Sequence, residues 1–440
     1  MAHGDSDEDS GRRRAWGLAA LKDLAGRRYD RSVLRRTAVL CIFLVPAYAA
    51  NFLTYYIVVR LLPAESFGLF YVGNTVENVL FTGSFILNLF FTRYFVSVFE
   101  SEGPAVAVAA LRRVERLVLA WGAAGAAGAC LLLPLGAKTL TAHAPLVAVM
   151  VVVETYASYV ADLGRVYFQS IRQTVRLGLY TMIWMNLRLL LCVLGILALG
   201  TVWGAFLGMA IAAALVFAGF HVMVERTAGG VPAQAPPLAS PLALVPIFLG
   251  YGLLILIFNL DVLLSYFLLT GDALGIYSAS SVFPKAILVV TTVPLQMVFA
   301  MMVAGHGSRR DFNRVTRKGG TVALGLAVAA ALVIWLGSPW ACGGPWGLKL
   351  CEPAVLGLLL LSLVPLALLR VFVLLEFARG RDWRAMALAV PVLLYLLIAL
   401  ATGRSIASLA AGFVFFAWAT LAFFLCLYLG DRIRRRSPSV

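Results

Sequence analysis

The sequence predicts an all-α membrane protein with about twelve transmembrane helices arranged as two related halves. Apolar residues make up 62% of the 440-residue chain and charged residues only 13%, whereas a soluble domain is about half apolar and a quarter charged. Lysine and arginine are concentrated in alternate connections between the apolar stretches, and one short motif occurs twice. These three observations predict the fold class.

Twelve apolar stretches can be laid out along the chain. Helices are the expected form, because lipid-exposed backbone must satisfy its own hydrogen bonds. A spanning helix needs ~20 apolar residues, and most of the stretches are much longer than the ~10-residue alternating strands of a membrane barrel. The predicted spans lie near 37–61, 67–97, 116–136, 145–170, 175–199, 201–224, 242–268, 273–304, 319–338, 354–378, 384–402 and 405–429.

The basic residues predict the topology. Nine lie in the N-terminal tail and nineteen in the even-numbered connections and the C-terminal tail, against three in the odd-numbered connections. By the positive-inside rule, both termini are expected in the cytoplasm, in a multi-pass protein of the cytoplasmic (inner) membrane. The formal net charge of +15 is then explained by topology and by attraction to anionic lipid, so no nucleic-acid partner is expected.

The repeated motif divides the chain into two halves. Leu61–Val76 (LLPAESFGLFYVGNTV) corresponds to Leu268–Phe283 (LLTGDALGIYSASSVF), and Gly68 is matched by Gly275. Both copies follow the first span of a six-span set, a pattern typical of transporters with the substrate path at the interface of the repeats. The predicted organisation is a basic cytoplasmic tail (1–36), a six-helix bundle (37–226), a Gly/Pro-rich cytoplasmic linker (227–241), a second six-helix bundle (242–430) and a basic tail (431–440).

Ionisable residues deep inside the spans are the candidate functional residues, because such residues are costly and usually face a cavity or a partner. The deep basic residues are Arg188, Lys285 and Arg370, and the deep acids include Glu77 and Asp261. The alternative is that they form intramembrane ion pairs that only fix helix packing. Prolines are also predicted to interrupt spans one, eight, ten and eleven.

Motifs for soluble chemistry are missing from the sequence. It contains no GxxxxGK[ST] phosphate loop, no HExxH and no Cys/His spacing typical of zinc, so no catalytic residue, metal site or cofactor is predicted. The odd-numbered connections are too short for the outer domain that hydrolytic or glycosyl-transfer chemistry would need. Cys342 and Cys351 share one such connection, and whether they form a disulfide stays open.

The two repeat turns carry a resemblance to a known family. The segment Asn259–Ala304, with Asp261, an acidic turn and then GIYSAS, resembles the start of the second half of Wzx-type O-antigen flippases. The first copy, VVRLLPAESFGLF, resembles the equivalent turn in the first half. These flippases belong to the multidrug/oligosaccharidyl-lipid/polysaccharide exporter superfamily, which implies two six-helix bundles around a central lumen. Val262 departs from the pattern, since many relatives have Arg or Lys there.

The resemblance implies translocation of a lipid-linked oligosaccharide, carried on a polyprenyl diphosphate, for surface polysaccharide biosynthesis. Arg188, Lys285 and Arg370 are the expected contacts of the diphosphate in a basic lumen. Without an ATPase motif, energy would come from an ion gradient, with Asp261 and Glu77 as candidates to bind the coupling proton or sodium. The expected partners are the lipid-linked oligosaccharide, membrane lipids and the polysaccharide polymerase or export machinery.

Two alternatives remain open. One is a cation-coupled small-molecule (multidrug) antiporter of the same superfamily, whose lumen should be rich in acids and aromatics. The other is a membrane enzyme or scaffold of envelope glycan assembly.

Overall fold

The structure is a computed structural model in which the regular elements of the described residues are all helices. The described residues are 31–136, 144–171, 173–228, 245–304, 321, 324–325, 327–343, 350–379, 383–403 and 405–434. The 1–30 part of the predicted tail, most of the 227–241 linker and residues 435–440 lie outside these ranges. The predicted bounds of the domains therefore stay predictions.

Among the described residues, six long helices form the N-terminal bundle: α1 (Arg31–Leu61), α2 (Ala64–Glu102), α3 (Pro104–Gly136), α4 (Ala144–Ser170), α5 (Thr174–Leu199) and α6 (Val202–Ala228). Within this bundle α5 packs against α1 and α6, and α4 packs against α2, α3 and α6. The short α5–α6 connection depends on Gly200, which adopts φ 64° and donates its N–H to the Ile196 carbonyl. Glycine is favoured there because other residues rarely adopt this left-handed conformation.

In the C-terminal bundle the described residues form nine helices: α7 (Val245–Leu268), α8 (Asp272–Ala304), α9 (Ala327–Leu336), α10 (Ser338–Gly343), α11 (Pro353–Leu361), α12 (Leu363–Ala378), α13 (Trp383–Met386), α14 (Ala389–Thr402) and α15 (Ile406–Arg434). Here α8 packs against α11 and α12, α15 packs against α11, α12 and α14, and α13 packs against α7.

Two of the predicted spans are interrupted where the sequence has proline. In a continuous helix the carbonyl of Leu361 would accept from the N–H of residue 365, but Pro365 has no N–H, and α11 ends at Leu361. In the same way the carbonyl of Ala387 would have no donor at Pro391, and α13 ends one residue earlier, at Met386. Pro46 lies inside the continuous helix α1, and α8 is likewise continuous through Pro284. The expected interruption is thus found in spans ten and eleven but not in spans one and eight.

The predicted polytopic membrane fold is confirmed. Within the described residues, nine helical segments of 19 to 28 residues are apolar enough to cross a membrane. Helices α2 and α8 are 39 and 33 residues long, which also exceeds the ~20 residues needed, and the short apolar helix α9 lies at the ninth predicted span. The order of the helices therefore corresponds to about twelve passages in two bundles.

The odd-numbered connections of the C-terminal bundle gather at one end of the molecule. Thr270, Glu352 and Ser405, from three different connections, line a cavity of ≈ 450 Å³. Cys342 and Cys351 are joined by a disulfide in the connection that precedes α11, which resolves the question left open by the sequence. We call this end of the molecule, where α1 also meets α2, the turn end.

The two copies of the repeat motif meet each other at the turn end and join the bundles. Helix α2 packs against both α7 and α8. Gly275 at the start of α8 lies directly on the backbone of Ala64, and Gly68 lies on Leu274 and Gly275. A methyl group on Gly275 would overlap the Ala64 carbonyl. The glycine is therefore repeated because the two helices approach each other at backbone contact.

We expect Gly275→Ala to lower the apparent melting temperature of the purified protein, because the new methyl group would overlap the Ala64 backbone. Overpacking of this kind typically costs about 1–3 kcal/mol of stability. Gly252→Ala in α7 is a matched control, since a Cβ there would meet no atom within 4 Å. Thermal unfolding in detergent measures both variants, and equal melting temperatures would contradict the close contact.

Candidate functional site

A guanidinium group lies between two carboxyl groups inside the N-terminal bundle. Arg188 of α5 donates from Nη2 to Glu77 Oε2 of α2, and the same Nη2 lies 3.2 Å from Glu154 Oε1 of α4. The side chain of Arg188 is 12% exposed, while Glu77 and Glu154 are buried. We call these three residues the N-terminal cluster. It ties three helices of one bundle together.

Neutral polar groups surround the N-terminal cluster. Arg188 also donates to Asn74 Oδ1 at 3.3 Å, and the Asn74 amide is 2.5 Å from the Tyr55 hydroxyl. Ser158 donates to Glu154 Oε1 at 2.9 Å, one helical turn further along α4. Glu154 Oε2 is buried and has no hydrogen-bond partner among the described residues. The cluster therefore contains two acids, one base and one unsatisfied carboxyl oxygen.

A second ionic cluster lies inside the C-terminal bundle. Lys285 of α8 donates to Asp261 Oδ1 of α7 at 2.7 Å and to the carbonyl of Phe258, and its ammonium lies 4.6 Å from the ring centre of Phe413. Tyr277 donates to the other carboxylate oxygen, Asp261 Oδ2, at 3.0 Å. Each oxygen of the fully buried Asp261 thus has a donor, and the pair is electrically balanced.

Arg370 lies close to this second cluster but on a different helix. From α12 it donates to the Leu288 carbonyl and to the Tyr251 hydroxyl, both at 3.1 Å. Its guanidinium lies 5.5 Å from the ring centre of Phe258, the residue whose carbonyl accepts from Lys285. Arg370 is 5% exposed and links α12 to α7 and α8.

The structure thus divides the candidate residues between the two bundles. Glu77 and Arg188 are in contact in the N-terminal bundle, whereas Asp261 and Lys285 are in contact in the C-terminal bundle near Arg370. Each predicted coupling acid is paired with a predicted substrate-binding base. The assignment of these residues to substrate or coupling ion stays a prediction.

Sequence reasoning missed Glu154 as the second acid of the N-terminal cluster. A signal was present, because Glu154 and Ser158 are polar residues four positions apart on a mostly apolar helix and so share one face. What a single sequence does not give is the helix that this face contacts. Arg188 is 34 positions further along the chain, on α5.

Other buried acids are held by neighbouring arginines near helix ends. Glu376 Oε1 accepts from Arg379 at 3.0 Å, and Oε2 accepts from Arg384 at 2.8 Å, where α12 connects to α13. Both oxygens of Glu376 are therefore satisfied. Over the residues that the structure describes, no group of three or more His, Cys, Asp or Glu side chains could hold a metal ion.

The fold is similar to that of solved transporter structures. An inward-facing multidrug resistance MATE family transporter of the MOP superfamily gives a TM-score of 0.69 at 12% identity, with 89% of this chain and 96% of that chain covered. The MATE transporter VcmN from Vibrio cholerae gives 0.61 at 18% identity, with 92% and 97% covered. A MOP superfamily transporter from Pyrococcus furiosus, described as having a binding pocket of reversed polarity, gives 0.57 at 13% identity, with 91% and 95% covered.

The chain therefore shares the fold of these proteins along nearly its whole length. The MOP superfamily is the one to which the sequence resemblance pointed, and these solved structures are described as MATE or MOP superfamily transporters. No protein-family model matches the chain, and no curated protein sequence matches it.

We expect Lys285→Met to destabilise the protein by about 3–5 kcal/mol, because Asp261 would remain buried without its counter-ion. Adding Asp261→Asn should recover most of this loss, since the second change removes the uncompensated charge. Thermal unfolding of the parent, both single variants and the double variant gives the coupling between the two residues. A double variant no more stable than Lys285→Met would show that the two side chains act independently.

Proposed function

We propose that the protein is a secondary transporter that exports small amphiphilic molecules in exchange for a cation. The observation that carries this proposal is the N-terminal cluster, in which two buried carboxyl groups share one guanidinium whose side chain is 12% exposed. An acid in excess of base is costly in an apolar bundle unless a cation neutralises it. A site that needs a cation can bind and release one when its surroundings change.

Export would proceed by movement of the two bundles relative to each other. The bundles pack through α2 against α7 and α8, and the repeat turns are in contact at the turn end. We assign the turn end to the outside, because its odd-numbered connections are poor in Lys and Arg. On this assignment the structure is closed to the outside, and separation of the turns would open it.

The charges inside the bundles favour a small amphiphile over a lipid-linked diphosphate. Arg188 and Lys285 are each held by carboxyl groups of their own bundle. Their charges are therefore already neutralised and are not offered to a phosphate group in this conformation. The solved structures with the same fold include multidrug resistance transporters, which supports the same substrate class.

A polyprenyl-diphosphate-linked oligosaccharide is the second candidate substrate. It is favoured by the resemblance of Asn259–Ala304 to the Wzx-type flippases. In that case the diphosphate would have to displace Asp261 from Lys285, or Glu77 from Arg188, as it enters the lumen. Such an exchange is chemically reasonable, because Arg and Lys bind phosphate and carboxylate through the same charge-assisted hydrogen bonds.

We expect bacteria that lack their own efflux pumps to accumulate less ethidium when they produce this protein, because an antiporter would use the cation gradient to expel the dye. Dissipating that gradient should restore accumulation. Glu154→Gln should abolish the effect at normal protein levels, since it removes the acid in excess and leaves Arg188 paired with Glu77. Ethidium fluorescence in intact cells is the measurement.

A flippase-null strain assayed for surface polysaccharide provides the comparison for the second substrate. Restored surface polysaccharide without any change in ethidium accumulation would overturn the antiporter proposal in favour of the flippase. Ethidium efflux without restored polysaccharide would support the antiporter.

The assignment of the turn end predicts which loops are accessible from outside the cell. In a background without free cysteines, Ser405→Cys at the turn end should react with a membrane-impermeant maleimide in intact cells. Glu102→Cys, which is also exposed but lies at the opposite end of α2 from the repeat turn, should react only after the membrane is opened. The reverse pattern would invert the topology.

A further inference from the structure

We propose that the C-terminal bundle binds an anionic phospholipid at the end opposite the turn end. The phosphate of the headgroup is held by Arg379 and Arg384, and an acyl chain lies along α14. The inference goes beyond transport and does not depend on which substrate is carried. Only the choice of leaflet, the cytoplasmic one, rests on the assignment of the turn end to the outside.

The first argument is the position of the two arginines at the edge of the apolar segments. Three apolar spans have a boundary at this end of the bundle: one ends at Phe377, the next begins at Trp383 and the last ends at Tyr428. Arg379 and Arg384 lie at the first two of these boundaries, where α12 connects to α13. Basic residues beside a tryptophan at the end of an apolar span are typical of the membrane–water interface, where phospholipid headgroups lie.

The second argument is the balance of charge. Glu376 accepts from Arg379 at 3.0 Å and from Arg384 at 2.8 Å, so one carboxylate holds two guanidinium groups. The connection between the two helices adds Arg381 and Asp382, whose formal charges cancel, and residues 376–384 are left with one positive charge in excess. Either arginine alone would neutralise Glu376, so a role in fixing the turn does not account for the second charge. A phosphodiester headgroup with one negative charge would neutralise it.

The two guanidinium groups are held in place by the protein itself. The side chain of Arg384 is 8% exposed, and its guanidinium lies 5.5 Å from the ring centre of Trp383. Arg379 donates to the Tyr428 hydroxyl at 3.3 Å and lies 5.3 Å from the centre of that ring. Because both arginines reach the same carboxylate, their guanidinium groups are neighbours. A guanidinium has five N–H donors, so one that binds a carboxylate can also bind a phosphate oxygen.

The third argument is an exposed apolar strip that leads away from the arginines along α13 and α14. Trp383, Met386, Val390, Leu393 and Leu397 follow each other at intervals of three or four positions, which is the spacing of one helix face. These residues are 39% to 69% exposed. The strip begins at the tryptophan beside the buried guanidinium and continues inside the apolar span that starts there. It therefore runs from headgroup level into the hydrocarbon, as the acyl chain of a bound phospholipid does.

Lipid binding by the purified full-length protein tests the site without any transported substrate. Native mass spectrometry of the protein titrated with phosphatidylglycerol or phosphatidylcholine, matched in their acyl chains, compares the two affinities. The parent protein should prefer phosphatidylglycerol. Arg379→Gln should weaken phosphatidylglycerol binding about fivefold, the loss expected for one basic contact at a membrane surface. The variant should fold, because Arg384 and Glu376 remain as a neutral pair.

Arg116→Gln in α3 is the matched control. Arg116 is an exposed arginine of a connection that is also predicted to be cytoplasmic, and it donates to the Arg112 carbonyl within its own helix. The change removes the same charge from the same predicted side of the membrane. It should leave the preference for phosphatidylglycerol unchanged, because it does not touch the arginine pair.

Fluorescence quenching locates the bound lipid. Brominated phosphatidylglycerol should quench the tryptophan emission of the parent more strongly than brominated phosphatidylcholine. This difference should disappear in Trp383→Phe, which keeps an aromatic ring at a position that is 65% exposed. A difference that persists in Trp383→Phe would place the lipid elsewhere and contradict the site.

Three binding results would also overturn the proposal: equal affinity of the parent for the two lipids, an unchanged preference in Arg379→Gln, and an equal loss in Arg116→Gln. Displacement of phosphatidylglycerol by inorganic phosphate at the same concentration would assign the arginines to a soluble anion instead of a lipid. The preference of the parent and the quenching in Trp383→Phe leave the arginines intact, so the test stays decisive if Arg379→Gln does not fold. Since no measurement involves transport, failure of the antiporter proposal would leave the lipid site standing.

Discussion

Arg188 and Lys285 each lie within a bundle of apolar helices, where an isolated ion costs several kcal/mol. Each is stable there because acids from neighbouring helices reach it: Glu77 and Glu154 for Arg188, and Asp261 for Lys285. These contacts are directional, so they fix how α2, α4 and α5 are placed in one bundle and how α7 and α8 are placed in the other. Neutralisation of buried charge is thus also what orders each bundle internally.

The contacts described between the bundles are of a different kind. At the turn end, Gly275 lies on the Ala64 backbone and Gly68 on Leu274. These are neutral groups. Separating them exposes no unpaired ion, whereas separating helices within a bundle would break a salt bridge. The energetic difference favours movement of each bundle as a rigid body, with the turn end as the contact that opens and closes.

The sequence was sufficient to predict the spans, the repeat and the depth of the charges, because hydropathy and helical length determine all three. It could not give the pairing of those charges. Glu77, Glu154 and Arg188 come from three helices and meet only after the bundle has formed. Proline was informative only in part: helix interruption accompanied Pro365 and Pro391, whereas α1 continues through Pro46.

The two bundles share a fold but not a charge pattern, and this asymmetry has a mechanistic consequence. In the repeat, Glu77 corresponds to Pro284 and Lys285 to Asn78, so neither ionic cluster has a copy in the other bundle. The C-terminal cluster is balanced by its own lysine, while the N-terminal cluster has an acid in excess. In the proposed antiporter, a mobile cation would therefore be needed in the N-terminal bundle only. Its binding would change the charge of that bundle alone, and an ion gradient would act on the transport cycle through that bundle.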